Sequence, residues 1–224
     1  MEQENKLTVQ GDFVEIKFTG YTDGKPFDSN IKDDLNKLNP KAEPEKTIVI
    51  IGQHMVVPGL DKALSDKELN KEYRIKINHK EGFGPRHKEL VRTIPLKVFA
   101  HQKVMPRPGA VFVLDNQLAR VIAVSGARVI TDFNNPLAGK DLEYKFTITN
   151  LVLDIKERAE AACKLILRFV PKIEIENGKI ILNGPKIIEE FIKRSENRFK
   201  ELLYTEVQFK ELSEEKTEEK ENAV

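Results

Sequence analysis

The residues that could perform chemistry are few and scattered. The four histidines, His54, His79, His87 and His101, are dispersed and have no cysteines beside them, so their spacing does not indicate a zinc site. The single cysteine, Cys163, falls on an apolar helical stripe, which favours a packed core thiol over a nucleophile. The motifs GxSxG, HExxH, CxxC and the P-loop do not occur. The pattern disfavours hydrolysis and phosphoryl transfer, and we expect neither a metal nor a cofactor.

The composition points to apolar recognition. Lys+Arg number 37 and Asp+Glu 36, which leaves a net charge of +1, so no global field attracts nucleic acid or an anionic membrane. No apolar run is long enough to span a bilayer, and the polar start lacks the regions of a signal peptide. A single cysteine fits a reducing compartment. We therefore expect a cytoplasmic protein that recognises apolar surfaces.

The first half of the chain reads as strands with one helix. Residues 13–18 and 73–77 alternate between apolar and polar side chains, as half-buried strands do, whereas residues 47–51 form a continuous β-branched run typical of a fully buried strand. The only helix predicted here covers residues 58–64, since proline suits its first turn. The polar stretch 30–46 reads as loop.

The sequence pattern changes after Gly84 and indicates an inserted β module. Residues 110–114 and 117–124 flank the turn sequence Asp115-Asn116, and residues 128–131 follow as a third strand. The alternation of Tyr144, Phe146 and Ile148 then supplies another strand of the first domain.

The last part predicts an αββαβ unit. A helical stripe begins at Ile155, a hairpin turns at Glu176-Asn177-Gly178, one helix is expected from Pro185 to Leu203, and a final strand lies near residues 207–209. The charged segment 213–224 has no apolar periodicity and is predicted to be disordered.

Several segments resemble the FKBP family in order and spacing. They are residues 16–20, the run Asp23-Gly24-Lys25-Pro26-Phe27-Asp28-Ser29, residues 52–64, Gly82-Phe83-Gly84, and residues 132–139 followed by Leu142-Glu143-Tyr144. The resemblance covers about residues 7–152 in the manner of the SlyD-like branch, whose flap carries an inserted β domain. The C-terminal unit resembles that of the long archaeal FKBPs.

The resemblance implies an α+β fold: an antiparallel sheet wrapped on a short helix, with a β-rich insert in the flap and a separate C-terminal domain. The expected domains are an isomerase domain over residues 1–84 and 132–154, an insert over 85–131, a C-terminal domain over 155–212, and a disordered tail over 213–224. One hypothesis for the C-terminal domain is that it pairs two chains into a homodimer.

The resemblance also implies peptidyl-prolyl cis-trans isomerase activity and a proline pocket. The implied site residues are Phe18, Phe27, Asp28, Val56, Val57, Leu60, Phe83 and Tyr144. The backbone N–H of Val57 would donate a hydrogen bond to the substrate, and Asp28 would be the polar group. The alternative for the apolar residues is ordinary core packing, and Asp28 could equally cap a turn.

This sequence departs from the family at three pocket positions. Phe18 and Phe83 stand where tyrosines are common, so two hydroxyls are missing. Leu60 replaces the aromatic pocket floor of small eukaryotic members, a change shared with the SlyD-like branch. These departures imply reduced activity and weak binding of macrolide inhibitors.

In the insert, the candidates for a surface that binds unfolded chains are Val98, Phe99, Val104, Met105 and Phe112. The alternative is that they form the core of the insert itself. The leading hypothesis is a foldase acting on unfolded proteins that contain X-Pro bonds. The alternatives are an ATP-independent holdase or binding scaffold with little isomerase activity, and a client-specific assembly factor.

Overall fold

The computed structural model describes residues 7–101, 104–114 and 116–212. Its strands, in chain order, are β1 (Phe13–Thr22), β2 (Lys25–Ser29), β3 (Thr47–Ile50), β4 (Glu72–Ile77), β5 (Val91–Pro95), β6 (Val111–Leu114), β7 (Gln117–Ser125), β8 (Arg128–Asp132), β9 (Leu142–Leu151), β10 (Lys172–Glu176), β11 (Lys179–Gly184) and β12 (Val207–Glu211). The helices are α1 (Lys32–Leu38), α2 (Pro58–Ala63), α3 (Leu96–His101), α4 (Ile155–Ile166), α5 (Glu189–Arg194) and α6 (Glu196–Leu203). The combination confirms the α+β fold class.

The first sheet is antiparallel and is built on two long strands. Its order is β2-β1-β9-β4, and β3 also pairs with β1. The alternation predicted for β9 is confirmed, because Tyr144, Phe146 and Ile148 are buried while the residues between them are half-buried. Helix α2 contributes Leu60 and Leu64 to the core of this sheet, as expected of a short helix held by a wrapping sheet.

Helix α1 corrects the prediction that residues 30–46 form only loop. The helix has no buried residue, so no apolar stripe announces it in the sequence. Polar contacts of Asp34 hold it: the carboxylate accepts from Thr19 Oγ1 at 2.9 Å and from Lys37 Nζ at 2.6 Å. With α1 and α3 present, the prediction of a single helix in the first half is also wrong.

The insert has its own sheet and core. The sheet order is β5-β8-β7-β6, and the pairing of Leu114 with Gln117 confirms a hairpin at the predicted turn, of which residue 115 lies outside the described residues. The buried core residues are Phe99, Leu114, Ala119, Val121 and Val129. Helix α3, which carries Phe99, closes this core.

The C-terminal unit combines α4, a three-stranded sheet of order β10-β11-β12, and helices α5 and α6. The single helix predicted from Pro185 to Leu203 is instead a 3₁₀ turn followed by α5 and α6, which divide at Ser195. Cys163 is buried in the core, and burial, with a smaller effect of the Glu160 charge, raises the pKa of its thiol to about 12. That confirms the core thiol.

The C-terminal unit shares its core with the first sheet. Phe13 and Ile50 belong to the same buried cluster as Phe199 and Leu202. The guanidinium of Arg158 lies 4.6 Å from the centre of the Phe13 ring. The predicted division into domains stays a prediction. Through this shared core, the C-terminal unit packs against β3.

Two further expectations concern the ends and the membrane. The predicted disordered tail, 213–224, lies outside the described residues. Among the helices within the described ranges, none is long and apolar enough to cross a membrane.

Candidate active site

Four aromatic rings meet on one side of the first sheet. Phe27 contacts Tyr144 and Phe83 edge to face, with ring centres 5.8 and 6.0 Å apart. Phe18 lies 6.1 Å from Tyr144. Strands β1, β2 and β9 position three of the rings, and Phe83 comes from the loop after β4. The rings form an apolar wall, an arrangement that suits a cyclic apolar ligand.

Gly20 allows these rings to approach the backbone, and the sequence analysis did not identify it as a site residue. A Cβ atom at Gly20 would lie 2.7 Å from Phe27 Cζ and 3.0 Å from Tyr144 Cε1. In the sheet, Gly20 is opposite Asp28 on β2 and Tyr144 on β9. The signal was a glycine inside a strand, which often marks a close approach of another group.

Gly20→Ala is expected to lower kcat/KM for a short proline peptide by about ten- to hundredfold, because the methyl group displaces the two rings that it meets. A peptide isomerisation assay measures the rate, and urea unfolding checks the fold. Lys17→Ala, an exposed change on the same strand, is the control and should leave both unchanged. Full activity in Gly20→Ala would contradict this role of the rings.

The aliphatic side of the site comes from the start of α2. Val56 and Val57 are half-buried and Leu60 is buried, and all three belong to the core cluster that contains the aromatic rings. Within the described residues, the N–H of Val57 has no hydrogen-bond acceptor. It is thus free to donate to a ligand, which is the role implied by the family resemblance.

Asp61 holds the loop that precedes these valines. Its side chain is 3% exposed; Oδ1 accepts from the N–H of Gly52 at 2.9 Å and Oδ2 from the N–H of His54 at 3.0 Å. Both loop residues have positive φ, +83° and +55°. A buried carboxylate that satisfies two backbone donors makes this turn rigid, so Asp61 is a positioning residue that the sequence analysis missed.

Asp28 lies at the rim of the site. The residue as a whole is exposed, but partial removal of its carboxyl from water raises its pKa above the ordinary value, against a smaller lowering by the N–H of Ser29. Burial, with the nearby Asp28 charge, also raises the pKa of the Tyr144 phenol. Tyr144 therefore stays protonated. Its hydroxyl has no hydrogen-bond partner within the described part of the chain and is not fully buried, so it remains a donor.

The structure brings seven of the eight predicted pocket residues into one apolar cluster and places Asp28 beside it. A cavity of about 780 Å³ lies elsewhere on the sheet, between the β1–β2 turn and strands β4 and β9. Its lining is mostly polar and charged, including the ion pair of Arg74 and Glu143 at 3.4 Å, and it contains none of the predicted pocket residues.

Of the five insert residues predicted to bind unfolded chains, some are buried and only one is well exposed. Phe99 is fully buried and packs edge to face on Phe112, so its assignment to an exposed binding surface is wrong in this structure. Val104 and Phe112 pack against the same core and are only half-exposed, as is Val98. Met105, at 78% exposure, is the one predicted residue of the five that stands out into solvent.

A different set of side chains forms an exposed apolar surface on the insert sheet. We call it the outer face; its residues are Val111, Val113, Leu118 and Ile130, which the strand register places on the side of the sheet away from the core. Val113 and Leu118 are directly opposite each other on β6 and β7. The sequence 111–114 is apolar at every position, so alternation alone could not tell which side chains face out. Exposed apolar surfaces of this kind mark interaction sites.

Comparison with known proteins identifies the family of this chain. A family model for FKBP-type peptidyl-prolyl cis-trans isomerases matches residues 4–101, and a model for the FKBP26 IF domain matches residues 92–137. The short-type peptidyl-prolyl cis-trans isomerase of Methanocaldococcus jannaschii is 32% identical over 145 residues, which are 63% of this chain and 91% of that protein.

Bacterial relatives match a smaller share of this chain. The FKBP-type peptidyl-prolyl cis-trans isomerase SlyD of Haemophilus influenzae is 30% identical over 97 residues, 42% of this chain and 50% of that protein. SlyD of Treponema pallidum is 26% identical over 125 residues, 54% of this chain and 71% of that protein. Because the chain covers 91% of the archaeal relative at 32% identity, it belongs to the FKBP-type peptidyl-prolyl cis-trans isomerase family.

Proposed function

We propose that the protein catalyses rotation about X-Pro bonds in folding proteins, and that its insert binds non-native chains for the same site. The observation that carries the first part is the convergence of the aromatic rings, the aliphatic wall and the unpaired N–H of Val57 in one place. Neither a nucleophile nor a metal is required for this reaction, in keeping with the scattered histidines and the inert thiol.

The mechanism is preferential binding of the twisted amide. Rotation about the X-Pro bond breaks amide resonance over a barrier of about 18–20 kcal/mol. At the top of the barrier the proline nitrogen has lost conjugation, and the ring favours an apolar wall such as the one formed by Phe18, Phe27 and Leu60. The Val57 N–H holds a substrate carbonyl in place, while Asp28 and the Tyr144 hydroxyl provide polar contacts at the rim. Each ~1.4 kcal/mol of such preference accelerates rotation about tenfold.

Asp28→Asn tests the polar role and has a signed effect on stability. We expect kcat/KM for a proline peptide to fall about tenfold, as for a loss of about 1.4 kcal/mol in the transition state. Because the pKa of Asp28 is raised on folding, its contribution to stability is full below the unfolded pKa and disappears as pH rises through the folded pKa. The variant should therefore be at least as stable as the parent at pH 7, with the difference shrinking in acid.

Peptide isomerisation and urea unfolding at pH 7 and in the acid range measure the two effects of Asp28→Asn. A variant with unchanged turnover would remove Asp28 from the catalytic assignment. A variant that is less stable at pH 7 would instead favour the turn-capping role.

The proposal of chaperone action rests on the outer face. Val111, Val113 and Leu118 are each more than half exposed, although they are large apolar side chains in a small folded unit. A short extended segment of an unfolded protein offers complementary apolar side chains. Binding it there would keep its prolines near the pocket and raise their local concentration.

The double change Val113→Ser and Leu118→Ser is expected to weaken suppression of client aggregation severalfold while leaving proline-peptide turnover intact, because both side chains are exposed and add little to the core. Light scattering of a denatured client measures suppression. Replacing Arg92–Thr131 by Asn-Gly, which joins the paired residues Val91 and Asp132, provides the variant without an insert. Equal suppression by all three proteins would refute the role of the outer face.

A second candidate function is an ATP-independent holdase with little isomerase activity. Phe18 and Phe83, which lack the hydroxyls common in the family, favour it. Refolding of a proline-limited client separates the two: acceleration by the parent chain but not by Asp28→Asn supports catalysis. Suppressed aggregation without acceleration supports the holdase.

We further propose that unfolded proteins with X-Pro bonds are the partners, that the protein acts in the cytoplasm, and that the C-terminal unit pairs two chains. The single buried thiol suits a reducing compartment. Pairing is supported by Ile187 and Phe191, which are 86% and 52% exposed near the start of α5. Sedimentation velocity over a range of concentrations, with Ile187→Glu beside the parent chain, tests this pairing.

A further inference from the structure

An asparagine side chain links the two chain segments at the base of the insert. Asn134 is 9% exposed, and its side chain pairs with both backbone groups of His87: Oδ1 accepts from the His87 N–H at 2.8 Å, and Nδ2 donates to the His87 carbonyl at 2.9 Å. The same Nδ2 donates to Asp132 Oδ1 at 2.6 Å. Asn134 thus joins the segment that leaves the pocket for the insert to the segment that returns from it.

An ion pair lies beside this contact. Nε and Nη2 of Arg86 donate to Asp132 Oδ2 at 3.1 and 2.6 Å, while the other oxygen of Asp132 accepts from Asn134. Partial burial alone would raise the pKa of Asp132, but the hydrogen bonds from Asn134 and Arg86 hold it below its ordinary value. Asp132 is therefore ionised at neutral pH, as its contact with Arg86 requires.

Backbone bonds extend the fastening in both directions. Phe133 N donates to Leu90 O at 2.9 Å on the insert side, and Gly139 N donates to Gly84 O at 2.8 Å on the pocket side. Phe83, whose ring is part of the pocket wall, directly precedes Gly84. The contacts thus run without a break from the pocket wall to the insert sheet.

We propose that Arg86, Asp132 and Asn134 form a latch that fixes the orientation of the outer face relative to the proline pocket. These are positioning residues, since none of them lies in the pocket itself. A client segment held on the outer face then presents its prolines to the pocket at a high local concentration, which a loosely hinged insert would dilute. The inference rests on the proposed chaperone function of the insert.

The energetics make Asn134 the part of the latch most sensitive to truncation. Truncation to alanine removes the acceptor of the His87 N–H and the donor to the His87 carbonyl, both in partly buried hydrogen bonds that would lose their protein partner. The chain can relieve this loss by opening the base of the insert to water. The neighbouring Asn135 offers a matched control, because it is exposed and its side chain accepts only from Leu137 N in the same turn.

The test compares Asn134→Ala with Asn135→Ala in the full chain. Spin labels on the exposed positions Lys17→Cys and Arg120→Cys, in a Cys163→Ala background, report the distance between the first sheet and the insert. We expect Asn134→Ala to broaden this distance distribution and to slow catalysed refolding of a proline-limited client at least about threefold. Turnover of a proline tetrapeptide and the Kd for a permanently unfolded client should not change, and Asn135→Ala should match the parent.

The outcomes separate the latch from the proposed function. A narrow, unchanged distance distribution with normal client refolding in Asn134→Ala would overturn the latch. A parallel loss of tetrapeptide turnover and client binding would assign Asn134 a general structural role and overturn it as well. If the variant with Arg92–Thr131 replaced by Asn-Gly refolds the client as fast as the parent, the proposed chaperone function fails, and the distance distribution still decides whether Asn134 fixes the insert.

Discussion

Replacing Phe99 by alanine is expected to unfold the insert while the first sheet stays folded. Phe99 is 0% exposed and is the largest residue in a core of only five buried side chains. Truncation of a buried phenylalanine destabilises by about 3–5 kcal/mol. At about 0.05–0.15 kcal/mol per residue, a unit of this length has only about 2–7 kcal/mol of stability to lose.

Hydrogen exchange measures this local unfolding. In Phe99→Ala, the amides of β6, β7 and β8 should lose protection, while those of β1 and β9 keep it, because the two sheets have separate cores. Suppression of aggregation should weaken, since the outer face exists only on a folded sheet. Met105→Ala, which truncates an exposed side chain, is the control. Unchanged protection of β7 in Phe99→Ala would show that the core does not depend on this ring.

For Phe99 and Met105, the sequence alone could not predict whether the side chain is buried or exposed. Both are large apolar residues in a short module, and composition alone left each of them equally suited to the core or to the surface. The structure separates them because α3 carries Phe99 over the insert sheet, whereas Met105 lies in the extended segment beyond that helix. The apolar strand 111–114 had the same ambiguity, so the outer face was not predicted.

Strand β2 (Lys25–Ser29) was not predicted, because its short sequence has no apolar alternation. The other four strands of the first sheet were predictable for a physical reason. Their apolar side chains repeat with period two, and β3 reads as a continuous apolar run. The structure explains that run: Val49 and Ile51 face the core shared with α2, while Ile48 and Ile50 face the C-terminal helices. A strand buried on both faces has no polar side to alternate with.

The parts of the site that escaped prediction are polar or have no side chain. Helix α1, Asp61 and Asn134 are held by side-chain hydrogen bonds outside regular helices and strands, and such bonds leave no periodic pattern. Gly20 escaped prediction because its role is only to leave room for the rings that approach it. The pocket residues themselves were found through the family resemblance, since their types alone equally fit ordinary core packing.

The largest expected effect on the isomerase domain comes from Leu60→Ala, with Leu64→Ala as its matched partner. Both leucines are at most 1% exposed, lie one helical turn apart at α2, and belong to the same core. Each truncation should lower the free energy of unfolding by about 2–5 kcal/mol. Only Leu60 is assigned to the proline pocket, so the two changes should have similar effects on stability and different effects on catalysis.

Peptide isomerisation at a temperature where both variants remain folded distinguishes packing from substrate contact. Leu60→Ala should lower kcat/KM at least about tenfold, because the proline ring loses its apolar floor and water enters the space left by the side chain. Leu64→Ala should keep the turnover of the parent. Equal losses in the two variants would mean that activity follows the rigidity of α2, and the assignment of Leu60 to the pocket would then fail even though the fold is unchanged.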